Sequence, residues 1–266
     1  MSQAMVKSMV NVMRRGAGAI STRNASLQAM LLLCLLVPAS GMCAALLAYA
    51  GGAEQPYAAA LLTWIIAFGG AVAVLQGLER TRYPHATLGL CNIMTILRAA
   101  SIAVLAGLLA TPEALDPVSG LGWALVVLAL ITLMLDGVDG WAARRSGLRS
   151  AFGARFDVES DVAFALVMAA LAWQSGHVGA WFLALGLMRP AFLAAGAVLP
   201  ALRRPLPDAF WRKSVAATQM GLQVVLLAPV LGPAVSHALG AGLLAVVAMA
   251  FAVDIRWLLA RAAEAP

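Results

Sequence analysis

Long apolar runs with few charges recur along most of the chain, and they constrain its fold more than any other feature. A helix needs roughly 20 mostly apolar residues to cross a bilayer. Runs of about that length lie at residues 26–50, 57–78, 91–110, 121–143, 156–176, 178–199, 214–233 and 237–258. The chain is 62% hydrophobic and 11% charged, a composition that excludes a soluble enzyme. We therefore predict an all-α, polytopic membrane bundle of about eight transmembrane helices.

The cysteines and histidines argue against a disulfide framework and against a zinc site. Cys34, Cys43 and Cys91 lie in apolar runs and form no C-x-x-C pair, so we expect free, buried thiols rather than a disulfide framework. The three histidines are far apart in sequence, which weighs against a zinc cluster.

The basic residues orient the predicted bundle. If the N-terminus lies in the cytoplasm, the loops on the opposite side fall at 51–56, 111–120, 176–177 and 234–236, and none of them contains Lys or Arg. Cytoplasmic loops of membrane proteins carry an excess of these residues. We therefore expect both termini to be cytoplasmic. The formal net charge of +6 then reflects membrane orientation, and no nucleic-acid partner is expected.

The N-terminal third of the chain differs from the rest. Residues 1–24 combine basic residues with apolar ones at helical spacing, which indicates a basic interfacial helix, with a disordered tail as the alternative. Two nearly featureless apolar runs follow. We place a boundary after residue 84, between an N-terminal extension of two transmembrane helices (1–84) and a domain of six (85–266).

Four aspartates in a short stretch carry the clearest chemical signal. Asp136 and Asp139 are three residues apart near the end of one predicted helix, and Asp157 and Asp161 are four apart near the start of the next. Each spacing places its pair on one helix face, and the turn between the helices brings both faces to the same cytoplasmic depth. An Asp at the bilayer centre costs roughly 2.5–3.5 kcal/mol on insertion scales.

Divalent cations would relieve both this cost and the mutual repulsion of the carboxylates. Oxygen ligands suit Mg²⁺ or Mn²⁺ better than zinc, and two such ions are the usual arrangement for phosphoryl displacement. Small residues and several arginines flank the aspartates, which suits a bound phosphate. A membrane-edge loop with Asp caps and cytoplasmic arginines would explain any one of these residues, but not the ensemble.

The acidic segment matches every fixed position of the CDP-alcohol phosphotransferase signature, which reads here Asp136-x2-Asp139-Gly140-x2-Ala143-Arg144-x8-Gly153-x3-Asp157-x3-Asp161. Upstream, Asn92-x2-Thr95-x2-Arg98 resembles the polar start of that family's first core helix. The resemblance covers residue 88 to about residue 258 and makes 85–266 the CDP-alcohol phosphotransferase domain.

The resemblance implies an integral membrane enzyme of phospholipid synthesis. Such an enzyme transfers the phosphatidyl group of CDP-diacylglycerol to an alcohol, such as glycerol 3-phosphate or another polar alcohol, and releases CMP. It depends on two Mg²⁺ or Mn²⁺ ions and usually forms a homodimer. The expected location is the bacterial inner membrane, with the active site at its cytoplasmic side.

The resemblance also implies roles for individual residues. The metal ligands would be Asp136, Asp139, Asp157 and Asp161. Asp161 would also be the catalytic base that takes the proton of the acceptor hydroxyl. The nucleotide-binding residues would be Asn92, Thr95, Gly140, Ala143, Arg144 and Gly153. Arg98, like Asn92 and Thr95, would either contact the nucleotide or satisfy helix-end backbone groups.

A second polar set follows the aspartates and is the candidate acceptor or phosphate site. Arg189 lies within an apolar run, where an arginine is a functional candidate. Arg203, Arg204, Arg212 and Lys213 begin the next cytoplasmic segment, and they serve equally well as positive-inside anchors. An anionic acceptor would suit these residues, as would the phosphates of the donor.

Three alternatives remain open at this point. The first keeps the motif but transfers a phospho-alcohol from a soluble CDP-alcohol to diacylglycerol. The second, from another class, is a transporter that uses the acidic cluster as a cation site; such proteins more often place acids near the midplane, in broken helices or repeats. The third is an inactive family member, which the retention of all four aspartates disfavours.

Overall fold

A computed structural model provides the structure of the chain. It describes the backbone of residues 3–81, 83–116, 120–146 and 150–263. Among these, it describes the side chains of 23–81, 83–116, 120–138, 145 and 150–262. All regular structure in the described backbone is helical, which confirms the predicted all-α class.

Eight α-helices follow one another in the described residues, and each contains most of one predicted run. They are α1 (Gln3–Ala50), α2 (Pro56–Arg80), α3 (Gly89–Gly107), α4 (Leu121–Ser146), α5 (Ala151–Gln174), α6 (Leu183–Val198), α7 (Phe210–Leu226) and α8 (Pro233–Ala263). Short 3-10 turns lie at Leu108–Ala110, Pro112–Leu115, Ala180–Phe182 and Pro200–Arg203.

Six of these helices are long and apolar enough to cross a membrane: α1, α2, α3, α4, α6 and α8. In α5 the first turns carry Arg155, Asp157, Glu159 and Asp161, and these charges reduce its apolar length. The helix α7 has only 17 residues. Eight spans therefore stay a prediction for these two helices, as does the orientation of the termini.

The helix α1 differs from the sequence prediction at its start. It runs for 48 residues without a break, so the basic segment continues into the first apolar run as one helix. Its cysteines also differ from expectation. All three thiols are free as predicted, but only Cys91 is buried, while Cys34 and Cys43 are exposed on the surface of α1. An exposed thiol on an apolar span can face lipid without a solvation penalty.

The helix α3 lies at the centre of the bundle. It packs against α1 and α2 on the N-terminal side and against α4 and α5 in the remainder of the chain. More than half of its apolar window is buried, whereas the other five candidate spans bury less than a quarter of theirs. A buried side chain on α3 can therefore contact several helices at once.

A separate apolar cluster joins the N-terminal helices to the start of α3 and α5. It is distinct from the main core, which includes residues from α1 to α8, and we call it the N-terminal cluster. Its buried members are Ala25, Ala29, Leu33, Val74, Leu78, Tyr83, Leu88, Ile96 and Phe152. The extension is thus packed onto the same helix ends that carry the candidate site.

Candidate active site

Three of the four motif aspartates converge in space. Oxygen atoms of Asp136, Asp157 and Asp161 lie within 4.8 Å of one another. Asp136 comes from α4, and the other two lie one turn apart on a single face of α5. The side chain of Asp139 lies outside the described residues, so its placement stays a prediction.

A buried arginine from α3 joins the three carboxylates. Arg98 Nη1 donates to Asp136 Oδ1 at 2.6 Å and to Asp157 Oδ1 at 2.8 Å, and Nη2 donates to Asp161 Oδ1. The arginine side chain is only 1% exposed, while the three carboxylates are 31–41% exposed. The guanidinium is therefore buried inside the bundle, and the carboxylates form the exposed side of the cluster, which we call its open mouth.

The geometry explains how acidic residues can be tolerated at this depth. Arg98 lies on α3, which packs against both α4 and α5, so one guanidinium reaches carboxylates from two helices. Three ionised carboxylates carry more negative charge than one guanidinium can neutralise. Because like charges brought together repel, the remaining negative charge favours a cation at the open mouth.

The donor set fits a hard divalent cation. Only carboxylate oxygens form the described cluster, and each Asp has a second oxygen besides the one that contacts Arg98. Oxygen-only sites suit Mg²⁺ or Mn²⁺. The residues present can thus hold such an ion, with Asp136, Asp157 and Asp161 as the described ligands.

Two of the predicted nucleotide-binding residues also make structural hydrogen bonds. Asn92 Nδ2 donates to the carbonyl of Leu88 at 2.6 Å, and Thr95 Oγ1 donates to the carbonyl of Cys91 at 2.9 Å. Both side chains are buried. The oxygen of Asn92 faces α5, because a Cβ added to Gly153 would lie 2.8 Å from it.

Gly153 lies at a close approach of α3 and α5, near the start of α5. Ser150 caps this helix, since its Oγ accepts from the N–H of Gly153 at 3.0 Å. A side chain at residue 153 would collide with Asn92 and approach Ser150 Oγ to 3.3 Å. The three remaining nucleotide candidates, Gly140, Ala143 and Arg144, have side-chain positions outside the described residues.

A cavity of about 330 Å³ opens beside the aspartates, between α5, α6, α7 and α8. Asp161 lies at its wall, so the cavity adjoins the carboxylate cluster. The other polar residues on its wall are Arg189, Arg212, Gln219 and Asp254. The rest of its lining is apolar, so its charged groups are concentrated in these few side chains and Asp161.

The predicted acceptor residues fall into two groups. Arg189 lines the cavity. Arg203 instead donates to the carbonyls of Gly196 and Ala197, and Arg204 donates to the carbonyl of Arg261. These two arginines satisfy carbonyls at the ends of α6 and α8, which have no partner within their helix.

Lys213 also lies away from the cavity wall. Its side chain is exposed, and Nζ is 3.9 Å from Asp208. The neighbouring Arg212 lines the cavity instead, and donates to the carbonyl of Pro207 at 2.6 Å. Its Nε lies 3.6 Å from Asp254 Oδ1.

Three features of the site were not anticipated from sequence. Arg98 was expected near the nucleotide or at a helix end, and the structure places it among the carboxylates. The sequence grouped Arg212 with Arg203, Arg204 and Lys213 as anchor or acceptor residues without distinguishing it from them, and it did not mark Asp254. The signal that marks Asp254 is an acid within a long apolar run, which is expensive unless the residue has a partner or a function.

The family model for CDP-alcohol phosphatidyltransferase matches residues 88–255. The chain belongs to this family. The match covers α3 to most of α8 and includes every residue of the carboxylate cluster and the cavity. Members are transferases and typically depend on divalent metal ions, which agrees with the clustered aspartates. No curated protein and no solved structure matches the chain.

Proposed function

We propose that this protein transfers the phosphatidyl group of CDP-diacylglycerol to a polar alcohol and releases CMP. One observation carries the proposal: three motif aspartates of α4 and α5 converge within 4.8 Å beside a cavity that Arg189 and Arg212 also line, in a chain of this family. A phosphoryl transfer needs positioned, charge-neutralised phosphates more than it needs covalent chemistry. The carboxylate cluster and the cavity supply two adjoining places for the two reactants.

The donor would lie over the open mouth of the carboxylate cluster. Mg²⁺ or Mn²⁺ ions held by Asp136, Asp157 and Asp161, with Asp139 as the fourth ligand, would neutralise the diphosphate of the donor. The seam, meaning the surface where Asn92 packs against Gly153, would contact the cytidine, with Gly140, Ala143, Arg144 and Thr95 as its other expected contacts. CMP leaves readily because its phosphate stabilises the negative charge that it takes away.

The acceptor would occupy the cavity between α5 and α8. Asp161 lines this cavity and would accept the proton of the acceptor hydroxyl as the hydroxyl oxygen attacks the phosphatidyl phosphorus. The new P–O bond forms as the bond to CMP breaks. Arg189 and Arg212 would bind an anionic group on the acceptor, which favours a phosphorylated alcohol such as glycerol 3-phosphate.

The active site would face the cytoplasm of a bacterial cell, where CTP-derived donors and phosphorylated alcohols are present. The absence of Lys and Arg from the predicted outer loops supports this orientation.

A product assay on purified protein in liposomes tests the proposal. The protein receives CDP-diacylglycerol, Mn²⁺ and one alcohol at a time, including glycerol 3-phosphate, glycerol, inositol phosphate and serine. We expect metal-dependent release of CMP and one new phospholipid, with the phosphorylated alcohols preferred. Absence of CMP release with every alcohol would contradict the proposal.

A second arm distinguishes the direction of transfer. Diacylglycerol and a soluble CDP-alcohol replace the first pair of substrates. Product in this arm alone would show that the lipid is the acceptor, and would overturn the assignment of the cavity to a water-soluble alcohol.

A further inference from the structure

The hydroxyl of Tyr83 lies behind the proposed nucleotide site, in the segment between α2 and α3 and outside the residues that match the family. This side chain is fully buried although it belongs to a connecting segment. Its hydroxyl donates to the carbonyl of Leu88 at 2.8 Å and accepts from Asn92 Nδ2 at 2.8 Å. The ring is part of the N-terminal cluster.

These hydrogen bonds set the orientation of the Asn92 amide. Nδ2 also donates to the carbonyl of Leu88 at 2.6 Å, so both amide hydrogens are used. A carbonyl oxygen can only accept, so the amide nitrogen must face Leu88 and Tyr83. The Asn92 oxygen consequently faces α5 at Gly153.

Gln28 of α1 also forms a hydrogen bond with Leu88, at the start of α3. Its Oε1 accepts from the N–H of Leu88 at 2.9 Å. Backbone N–H groups at the start of a helix have no intrahelical partner, and Leu88 directly precedes α3. One residue of the extension therefore supplies a bond that fixes where α3 begins.

The Tyr83 ring also contacts the start of α5. It meets Phe152 edge-on, with centroids 6.4 Å apart, and Phe152 stacks on Phe156 at 5.6 Å. Both phenylalanines belong to the turns of α5 that carry Gly153 and Asp157. Tyr83 thus touches the two helices whose separation defines the Asn92–Gly153 seam.

The phenol remains a donor at neutral pH. Burial raises the pKa of Tyr83, and nearby Cys91 raises it further, although the hydrogen bond from Asn92 acts in the opposite direction. The proton that bonds Leu88 is therefore retained under physiological conditions.

We infer that Tyr83 and Gln28 are positioning residues for the cytidine nucleotide. They hold the Asn92 amide and the first turn of α3 at a fixed distance from Gly153. The inference rests on the proposed function, because it assigns this seam to the nucleotide. It also gives the N-terminal extension a role in donor binding.

Calorimetric titration of CMP into the full-length protein in detergent with Mn²⁺ tests the inference. Tyr83→Phe removes one hydroxyl, and a single hydrogen bond corresponds to about a three- to tenfold loss of affinity for CMP. Gln28→Met removes the acceptor for Leu88 and should weaken binding in the same direction. Tyr57→Phe, at an exposed tyrosine of α2, is the matched control and should bind CMP as the unmodified protein does.

Two further readouts separate positioning from general stability. In the CMP-release assay, Tyr83→Phe should raise KM for the donor while kcat and KM for the acceptor stay unchanged; a purely structural defect would lower the active fraction and leave KM unchanged. In an Asn92→Ala background, Tyr83→Phe should change CMP affinity less than twofold, because it acts through Asn92.

Wild-type affinity for CMP in Tyr83→Phe would overturn the inference, as would an undiminished effect in the Asn92→Ala background. If the unmodified protein binds CMP and the variants bind CMP more weakly, but no donor is turned over, the inference stands and the proposed reaction fails. If the unmodified protein binds no CMP, both are overturned.

Discussion

Arg98 and Asp161 have opposite roles in one cluster, although they contact each other. Arg98 is almost completely buried and contacts all three described carboxylates, whereas Asp161 is about one-third exposed and borders the cavity. The arginine therefore holds the cluster together from inside the bundle. Of the three clustered carboxylates, Asp161 is the one that lines the cavity, which makes it the candidate base.

Asp161→Asn should abolish turnover and leave CMP binding largely intact. The amide cannot take the acceptor proton, and a general base contributes about 10²–10⁴ to the rate. The expected loss in kcat is therefore at least about 100-fold, measured by CMP release. Glu159→Gln is the control, because this exposed carboxylate on α5 pairs with Arg155. Full activity of Asp161→Asn would remove the role assigned to this residue.

Arg98→Gln should lower the melting temperature most strongly when divalent ions are absent. Removing one partner of a fully buried ion pair costs roughly 3–5 kcal/mol. We expect about 1–3 kcal/mol here because the carboxylates are 31–41% exposed. Added Mn²⁺ should recover part of the loss, since the ions then neutralise the carboxylates.

The control for Arg98→Gln is Arg155→Gln. The Arg155 side chain is 80% exposed and forms one ion pair, so its loss should change stability little. Thermal unfolding with EDTA and with Mn²⁺ measures both variants. If Arg98→Gln lowers the melting temperature equally with EDTA and with Mn²⁺, metal ions do not compensate for the loss of this arginine.

At the scale of elements, the site depends on how closely α3 approaches α5. Gly153 allows this approach, and Ser150 caps the helix end at the same point. Neither the seam nor the cavity belongs to one helix. The seam lies between the first turns of α3 and α5, and the cavity lies between α5, α6, α7 and α8.

Gly153→Ala should weaken donor binding. The added methyl would lie 2.8 Å from Asn92 Oδ1, so α3 and α5 must separate or Asn92 must rotate. We expect KM for CDP-diacylglycerol to rise about tenfold in the CMP-release assay, which corresponds to roughly 1.4 kcal/mol.

The matched control for this substitution is Gly137→Ala in α4. A Cβ at Gly137 meets no atom within 4 Å, so this variant should keep the KM of the unmodified protein. A KM equal to wild type in Gly153→Ala, or equal increases in both variants, would show that the seam does not contact the donor.

The sequence predicts the helices and the acidic motif but not the contacts between them. Each run of apolar residues marks a helix, and the spacing of Asp157 and Asp161 determines that they share a face. The position of Arg98 depends on how α3 packs between other helices, which periodicity does not encode. Likewise, whether Arg212 or Lys213 faces the cavity depends on the rotation of α7 against α8. The continuous course of α1 was missed because a change in composition does not require a break in a helix.

For the whole molecule, the proposed reaction requires a single orientation in the bilayer. The open mouth of the carboxylate cluster lies near the ends of α4 and α5 that flank the basic segment around residue 145. The predicted outer loops lie at the opposite ends of the helices. A lipid donor whose cytidine headgroup lies at the cytoplasmic face can reach the cluster only if that segment is cytoplasmic.

Labelling with a membrane-impermeant maleimide tests the orientation. The native cysteines are replaced by alanine, and a single cysteine is introduced as Arg145→Cys or as Glu54→Cys, both at exposed positions. In intact cells, Glu54→Cys should react and Arg145→Cys should react only after the membrane is opened. The reverse pattern would invert the topology.

The dependence of CMP release on Mn²⁺ tests whether the clustered aspartates hold a metal ion that the reaction needs. Initial rates from CDP-diacylglycerol are measured against Mn²⁺ concentration for the unmodified protein, Asp136→Asn and Glu159→Gln. We predict no release in EDTA, release that Mn²⁺ restores, an unchanged Mn²⁺ profile in Glu159→Gln, and a Mn²⁺ requirement raised at least about tenfold, or no activity, in Asp136→Asn. Release of CMP in EDTA, or a wild-type profile in Asp136→Asn, would contradict a metal site at these carboxylates.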